Sequence, residues 1–214
     1  GKHIHDDIVR KGLLKNNSML GNALVGMYAK CGILTKAQKL LEEFPIRNIV
    51  SWSALIAGFA EQGQGNEALN CFERMQSEGL SPNSVTYICM LKVCGRTETL
   101  QKGEQIHKEI VNKGLLKNNI VLGNALLDMY AKCGMLAKAR KVFDELTMRD
   151  VIAWNVIISG YSKHDLAEEA LYCFNQMLDD GFLPDGVTYA CVLKACGGIG
   201  SAEKGEEIHA TIVK

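Results

Sequence analysis

The first candidate for chemistry is the triplet His-Lys-Glu at 107–109, because zinc deaminases place a metal-binding His and a catalytic Glu at this H-x-E spacing. That chemistry also needs a P-C-x-x-C segment to complete the zinc site, and the sequence contains none. The dipeptide Ile-His occurs twice more, and the triplets that begin at its histidine, HDD at 5–7 and HAT at 209–211, lack the glutamate. We therefore predict that His107 is structural and that this sequence holds no metal site and no catalytic residue.

The eight cysteines are the second candidate. Cys89 and Cys94 are five residues apart, as are Cys191 and Cys196, whereas zinc sites use ligands at C-x2-4-C together with a matching second pair. The other four lie in two KCG segments or precede a phenylalanine within an apolar helical stripe. We predict that the cysteines are small buried residues of a protein in a reducing compartment.

The segments that carry these residues repeat at a spacing of 102 residues. LGNALVGMYAKCG at 20–32 returns as LGNALLDMYAKCG at 122–134, and SWSALIAGF at 51–59 corresponds to AWNVIISGY at 153–161. Between 1–32 and 103–134, 23 of 32 positions are identical. One catalytic centre is usually enough for an enzyme, whereas repeated architecture is common, so the duplication favours an array of structural repeats.

Composition and charge narrow the class of protein. Hydrophobic residues make up 47% of the 214 residues, which is enough for a continuous core, and no run of 18 apolar residues predicts a membrane span. The net charge of zero argues against a strong non-specific polyanion binder. The sequence begins without Met and inside a repeat, so we expect a piece of a longer protein, with any targeting segment outside it.

Each long unit divides into pairs of helices. In the segment at 49–83, apolar residues at i, i+3, i+4 and i+7 indicate the buried face of a first helix: Trp52, Leu55, Ile56 and Phe59. Gly63–Gly65 breaks that helix. A second apolar stripe then predicts a helix that ends at Gly79, ahead of Pro82, and its members are Ala68, Leu69, Phe72 and Met75. Both Trp52 and Trp154 lie within first-helix stripes, so we predict core positions for them rather than stacking platforms.

The whole chain therefore reads as a single array of seven segments, at 1–17, 18–48, 49–83, 84–119, 120–150, 151–185 and 186–214, of which the first and last are partial. One helical pair of this size cannot bury both of its apolar faces, whereas stacked pairs can. We predict an all-α fold, an α-solenoid of stacked helix-turn-helix repeats of 35, 36 and 31 residues. Without end caps, the apolar end faces would let the array self-associate.

Two repeat families have this length. Tetratricopeptide repeats, which usually bind peptides, place small residues where this chain has Ile56 and Met75, although a protein-binding scaffold of that type remains the alternative. The alternating lengths resemble instead the pentatricopeptide repeat family, specifically its plant organellar subclass with P, L and S motifs. NALVGMYAKCG and NALLDMYAKCG resemble S motifs, IVSWSALIAGF with EALNCFERM resembles a P motif, and VTYICMLKVCG with GEQIHKEIV resembles an L motif. The resemblance labels 18–48 and 120–150 as S, 49–83 and 151–185 as P, and the other segments as L.

The resemblance implies single-stranded RNA as the partner, with one base bound by each repeat. In that family the fifth residue of a motif and its last residue read the base. Carried onto this sequence, the reader pairs are Asn22 with Asn48, Ser53 with Asn83, Asn124 with Asp150, and Asn155 with Asp185. The L motif offers Ile88 with Asn119, and Ile88 has no group that could hydrogen-bond a base.

The chemistry of these side chains suggests their preferences. An ionised Asp only accepts hydrogen bonds, which suits the ring N–H of uracil or guanine, whereas Asn can present its NH2 group to the bare ring nitrogen of cytosine or adenine. A short Ser leaves room for a purine and a longer Asn fits a pyrimidine. The expected RNA core is 5′-C-A-N-U-U-3′, with U tolerated at the first place and the 5′ end at the protein's N-terminus, as the resemblance implies.

Two further sets of residues follow from the resemblance. The second residue of each motif packs against base faces in that family, and here all six are apolar: Met19, Val50, Val85, Val121, Ile152 and Val187. The alternative is that these six are ordinary core residues at helix starts. The thirteenth residue often contacts phosphate, and the candidates are Lys30, Arg96, Lys132 and Lys163, with Glu61 departing from the pattern. Solvated lysines on turns are the ordinary alternative.

The resemblance finally implies a cellular role. Arrays of this subclass select sites for cytidine-to-uridine editing in chloroplast or mitochondrial transcripts, together with editing-complex proteins. The edited base would lie downstream of the bases read here, and a further domain or a partner would supply the reaction. No cofactor is expected in these repeats.

Overall fold

The fold is given by a computed structural model, which describes residues 7, 8, 10–14, 17–44 and 47–212, the last two of these by their backbone alone. The chain divides into two compact units, Gly1–Thr97 and Glu98–Lys214. The described residues form twelve α-helices and no strand, which confirms the all-α class. None of these helices combines the length and the apolar character that a membrane span requires.

Within the first unit, the described residues include five full helices: α1 (Ser18–Lys30), α2 (Leu34–Glu43), α3 (Ile49–Glu61), α4 (Gly65–Ser77) and α5 (Ser84–Thr97). The first helices of successive repeats, α1, α3 and α5, lie side by side, because α3 packs against both of the others. The second helix α2 packs against α1 and α3, and α4 packs against α3 and α5. Each second helix therefore fills the space behind two neighbouring first helices.

The second unit contains α6 (Leu100–Asn112), α7 (Ile120–Lys132), α8 (Leu136–Glu145), α9 (Val151–Lys163), α10 (Ala167–Asp179), α11 (Gly186–Gly198) and α12 (Ala202–Ile212). The row of first helices is α7, α9 and α11, and the second helices α8 and α10 pack behind them in the same way as in the first unit. Stacking of helix pairs on their neighbours is the α-solenoid arrangement, and the predicted fold class is confirmed.

The first helices begin where the sequence pattern places the segment starts, at 18, 49, 84, 120, 151 and 186. In the two 31-residue segments the second helix has 10 residues, whereas in the two 35-residue segments it has 13. Most of the difference in segment length therefore lies in the second helix. The boundary between the units divides the 84–119 segment between its two helices, and the assignment of all seven segments to one array stays a prediction.

The apolar stripes form the core. Trp52, Leu55, Ile56 and Phe59 of α3 are all buried, and in α4 Leu69 is half-buried while the other three residues of the predicted stripe are buried. Burying an aliphatic or aromatic side chain of this size contributes roughly 1.5–3 kcal/mol each. The Nε1 of Trp52 donates to Glu78 at 2.9 Å, and Trp154 is equally buried, so the prediction of core tryptophans is confirmed.

The prediction of buried cysteines is wrong for half of them. All eight are free thiols, but only Cys71, Cys94, Cys173 and Cys196 are buried. Cys31 is exposed and Cys133 is half-buried, because each is the C-cap residue at the surface end of a first helix. Cys89 and Cys191 are also half-buried. Within the described part of the chain, no group of His, Cys, Asp and Glu could hold a metal ion.

His107 is structural, as predicted. Its Nδ1 lies 2.8 Å from the hydroxyl of Tyr130, and the two rings meet edge to face with centroids 5.6 Å apart. Burial lowers the pKa of His107 and raises that of Tyr130 to about 12, so this pair is neutral near pH 7. The equivalent His209 is exposed, and His5 lies outside the described residues.

The turn between the two helices of a repeat has a left-handed residue at the same place each time. Gly32, Gly63 and Gly134 adopt φ values of 73°, 73° and 71° there. Glu98 and Asp165 occupy the corresponding places with φ values of 53° and 58°. A side chain beyond Cα makes this conformation costly, so these two turns are strained relative to the glycine turns.

Candidate nucleic-acid interface

The predicted reader residues lie at the N-terminal ends of the first helices. The last residue of a segment is the N-cap of the next first helix, and its side chain accepts backbone N–H groups of the first turn: Asn48 for α3, Asn119 for α7, Asp150 for α9 and Asp185 for α11. Asn83 likewise accepts the N–H of Thr86 at the start of α5. The sequence reasoning missed this capping role, although Asn or Asp directly before an apolar helix is its usual signal.

In the 151–185 segment, the structure brings the two predicted readers into direct contact. The Nδ2 of Asn155 donates to both carboxylate oxygens of Asp185, at 3.0 Å each. The Thr188 hydroxyl lies 2.6 Å from Oδ1 of Asn155 and 3.0 Å from Oδ1 of Asp185, and it accepts the N–H of Asp185. Asn155 is therefore held at both ends of its amide. One N–H can serve both carboxylate oxygens, which leaves the second N–H for a ligand.

The electrostatics of this cluster favour an ionised Asp185. The backbone N–H of Thr188, and beside it the side chains of Asn155 and Thr188 and the N–H of Val187, donate to the carboxylate and lower its pKa below the usual value. Asp185 is nonetheless exposed. Near neutral pH the cluster thus presents an acceptor-only carboxylate to whatever lies on this surface.

The 120–150 segment forms the same pair without a threonine hydroxyl beside it. The Nδ2 of Asn124 donates to the two oxygens of Asp150 at 3.0 and 3.2 Å, and Asp150 caps α9 through the N–H of Ala153. Ala153 occupies the place that Thr188 has in the next repeat. Without that hydroxyl, Oδ1 of Asn124 is buried and has no hydrogen-bond partner among the described residues. Such an unpaired acceptor costs about 1–3 kcal/mol.

The 49–83 segment connects its readers through a threonine. The Ser53 Oγ lies 2.7 Å from the hydroxyl of Thr86, and that hydroxyl donates to Oδ1 of Asn83 at 3.0 Å. Either hydroxyl can donate in the Ser53–Thr86 contact; when the Thr86 hydrogen is on Asn83, Ser53 is the donor to Thr86. The free lone pairs of Ser53 then accept, and the Nδ2 of Asn83 is left to donate.

The readers of the 18–48 and 84–119 segments have other surroundings. Asn22 is half-buried, and in the described part of the chain no side-chain hydrogen bond links it to Asn48. Ser51, at the place of Thr86 and Thr188, bonds instead to the backbone of Asn48, through its carbonyl at 2.9 Å and its N–H at 3.2 Å. In the 84–119 segment, Ile88 is half-buried and Asn119 accepts the N–H of Leu122.

The six apolar second residues are exposed, with between 55% and 77% of their surface accessible: Met19, Val50, Val85, Val121, Ile152 and Val187. The alternative that they are core residues is therefore wrong. Within each unit they stand beside the reader residues at successive helix starts. An apolar side chain beside each polar pair offers a flat ligand both a face and an edge to contact. Their packing against bases stays a prediction.

The predicted phosphate contacts differ in availability. All four side chains are exposed: Lys30, Arg96, Lys132 and Lys163. However, the guanidinium of Arg96 donates to the carbonyl of Ala60 at 2.8 Å, and Lys132 pairs with Asp128 at 2.6 Å. Neither Lys30 nor Lys163 forms an ion pair with another described residue. Lys30 and Lys163 therefore carry the less compensated charges at the ends of their helices.

Comparisons with known proteins show which family this sequence belongs to. Sequence models described as PPR repeat family match residues 47–96 and 149–198, and models described as PPR repeat match 22–49, 85–115 and 124–151. The chain is 38% identical over 214 residues to the chloroplastic pentatricopeptide repeat-containing protein CRR2 of Arabidopsis thaliana, covering 99% of this chain and 32% of that protein. It is 37% identical over 214 residues to a mitochondrial pentatricopeptide repeat-containing protein of the same plant, covering 100% of this chain and 31% of that protein.

The chain spans about a third or less of the length of the curated relatives it matches. Among solved structures, it is similar to the nuclear protein-only RNase P 2 of Arabidopsis thaliana, with a TM-score of 0.62 over 77% of this chain and 38% of that one. The identity in that comparison is 13%, so the likeness concerns the fold alone. It agrees with the stacked helical pairs described above.

Proposed function

This chain belongs to the pentatricopeptide repeat family, and from that premise we propose that the N-terminal ends of its first helices bind single-stranded RNA, one base to a repeat. The observation that carries the proposal is a recurring arrangement: an exposed apolar residue beside a pair of polar side chains at the start of successive first helices. An unpaired base has a flat face that packs against apolar side chains and a Watson–Crick edge that hydrogen-bonds. The starts of these helices offer an apolar side chain to the face of a base and polar groups to its edge.

The order of hydrogen-bond acceptor and donor in the Ser53–Asn83 pair supports adenine as the bound base. With the Thr86 hydroxyl donating to Asn83, Ser53 presents an acceptor and Asn83 presents a donor. The Watson–Crick edge of adenine has the complementary order, an amino donor beside a bare ring nitrogen. Cytosine has the same order of donor and acceptor. The short side chain of Ser53 leaves room for a purine, which favours adenine over cytosine.

The two Asn–Asp pairs support uracil. Asp185 and Asp150 only accept, which matches the ring N–H of uracil, and the second amide N–H of Asn155 or Asn124 suits a uracil carbonyl. Guanine has the same polarity but a larger ring system, and the Asn side chain at the fifth place occupies that space. Cytosine and adenine would bring a bare ring nitrogen against a carboxylate.

Taken in chain order, the reader pairs give the core 5′-C-A-N-U-U-3′, with U tolerated at the first place. Asn22 with Asn48 accounts for the pyrimidine there, and Ile88 leaves the third base open. The 5′-to-3′ direction and the plant organellar PLS subclass follow the family resemblance. Relatives named as chloroplastic and mitochondrial support an organellar location.

The role that fits this array is to select sites for cytidine-to-uridine editing in organellar transcripts. We propose no reaction for these residues, whose polar groups act in this scheme as helix caps and base readers. A further domain or an editing-complex partner would carry the chemistry. In this scheme the chain contributes the choice of RNA.

The proposal is tested by titrating the chain with fluorescent RNA oligomers at several salt concentrations. We expect 5′-CAAUU-3′ within an unstructured flank to bind more tightly than 5′-GGCGG-3′ in the same flank, with affinity that falls as salt rises. A duplex of the preferred sequence should bind weakly, because its base edges are paired. No affinity for any unpaired RNA at low salt would reject the proposal and favour a peptide-binding scaffold.

A further inference from the structure

The three reader pairs with a built hydrogen-bond network differ at one buried place. The third residue of the following first helix is Thr86 behind Ser53–Asn83, Ala153 behind Asn124–Asp150, and Thr188 behind Asn155–Asp185. All three are fully buried, so none can touch a ligand directly. Whatever this position contributes to recognition must act through the readers.

Where the third residue is threonine, its hydroxyl connects the two readers. Thr188 lies within 3.0 Å of both Asn155 and Asp185, and Thr86 lies within 3.0 Å of both Ser53 and Asn83. A hydroxyl has one hydrogen to donate, so its direction decides which reader atoms are left as donors and acceptors. In both repeats the threonine also bonds to the capping residue, which ties this direction to the start of the helix.

Where the third residue is alanine, the reader is held at one end only. Asp150 fixes the Nδ2 of Asn124, but no residue in the part of the chain that the structure describes pairs with its buried Oδ1. Rotation of the Asn124 amide toward a base with an amino group would relieve the unpaired acceptor, at the expense of the bonds from Nδ2 to Asp150 alone. The amide of Asn155 would first have to give up its bond to Thr188.

We propose that this third residue is a specificity-positioning residue, so that two repeats with the same Asn–Asp readers discriminate differently. With Thr188 behind it, the 151–185 repeat rejects cytosine in favour of uracil more strongly than the 120–150 repeat, which has Ala153. The proposal rests on the proposed function, because it concerns how the same site chooses a base. Under this proposal, the reading site of one repeat includes the third residue of the first helix of the next repeat.

The test exchanges the two residues and measures base choice at each repeat. The variants are Ala153→Thr, Thr188→Val, which keeps the shape but removes the hydroxyl, and Thr188→Ser, which restores the hydroxyl. For each, Kd is measured with three oligomers that carry U-U, C-U or U-C at the last two places of the core. Circular dichroism verifies that each variant is folded.

We expect the uracil-to-cytosine ratio of the unchanged chain to be higher at the 151–185 repeat. Ala153→Thr should raise the ratio at its own repeat by roughly threefold to tenfold, and Thr188→Val should lower the ratio at the other by a similar factor. Thr188→Ser should keep it. A role in stability alone would change affinity for all three oligomers equally.

Failure of this inference can be distinguished from failure of the proposed function. Binding with equal ratios at both repeats, unmoved by Ala153→Thr, would overturn this inference and leave the proposed function standing. No binding of any oligomer by the unchanged chain would overturn the proposed function, and this inference with it. Ala153→Thr decides the matter even if Thr188→Val does not fold, because it adds a side chain that the corresponding place already accommodates in two other repeats.

Discussion

The amide of Asn155 donates to both carboxylate oxygens of Asp185, two residues 30 positions apart, at 3.0 Å each. Asn155 lies one turn inside α9, and Asp185 caps α11. They meet because α11 packs against α9, so the stacking of the repeats itself builds the site. The capping bonds hold Asp185 at a fixed place, and the carboxylate in turn orients the amide.

Asp185→Asn should shift the preference of the last complete repeat from uracil toward cytosine. Asn still caps α11, so the fold is kept, but it presents an NH2 group that pairs with the bare ring nitrogen of cytosine. A well-placed base contact is worth roughly 1–3 kcal/mol in major-groove readout, which sets the scale of the expected change. Fluorescence anisotropy with U- and C-containing oligomers would measure it.

Ile88→Ala is the matched control for that change. Ile88 is also a fifth residue, but it offers no hydrogen bond, so truncating it should alter base choice hardly at all at the third place. If Asp185→Asn and Ile88→Ala changed base choice equally, the reader assignment would be wrong.

Val187→Ser should weaken binding of every base at the 151–185 repeat, because Val187 lies beside the reader Asp185 of that repeat. Val187 is exposed, so the substitution removes apolar contact with a base face while leaving the core intact. Loss of part of a valine contact suggests a decrease in affinity of about threefold, without a change in base order. The control is Leu178→Ser, which also replaces an exposed apolar residue but lies in the second helix α10 rather than at the start of a first helix. Equal losses from both would indicate a non-specific apolar effect.

Lys163→Ala should reduce the salt dependence of RNA binding more than Lys132→Ala. Each phosphate contact to a single strand contributes roughly 0.7 to the slope of log K against log salt. Lys163 has no ion pair among the described residues, whereas Asp128 already compensates Lys132 at 2.6 Å. Binding isotherms at four or more salt concentrations give both slopes. A larger change for Lys132→Ala would contradict the assignment.

Glu98→Gly should stabilise the chain. The backbone of Glu98 is left-handed, with φ at 53°, in a turn where four other repeats have glycine. Relief of this conformation is worth about 1 kcal/mol, partly offset by the greater freedom of glycine in the unfolded chain. Urea unfolding monitored by circular dichroism would measure the gain. Gly134→Ala, which imposes the strain at a corresponding turn, is the reciprocal control and should destabilise; a loss of stability in Glu98→Gly would refute the argument.

The helices were predictable because their apolar residues recur at helical spacing, as Trp52, Leu55, Ile56 and Phe59 do. The reader positions came from the family resemblance and not from spacing. The links through Thr86 and Thr188 were not predictable from the sequence, because they join residues about 30 positions apart and depend on how α5 and α11 stack. The exposure of Cys31 was missed for a related reason: a helix end looks apolar in sequence although it lies at the surface.

The central claim, that the repeats read RNA bases in chain order, is tested most directly by selection from a pool of random unpaired RNA. The chain is immobilised, bound RNA is recovered over several rounds, and the enriched sequences are aligned. We predict enrichment of 5′-C-A-N-U-U-3′ in that direction, with U accepted at the first place and no preference at the third. Enrichment of 5′-U-U-N-A-C-3′ would contradict the orientation, and the absence of any pattern would contradict base reading altogether.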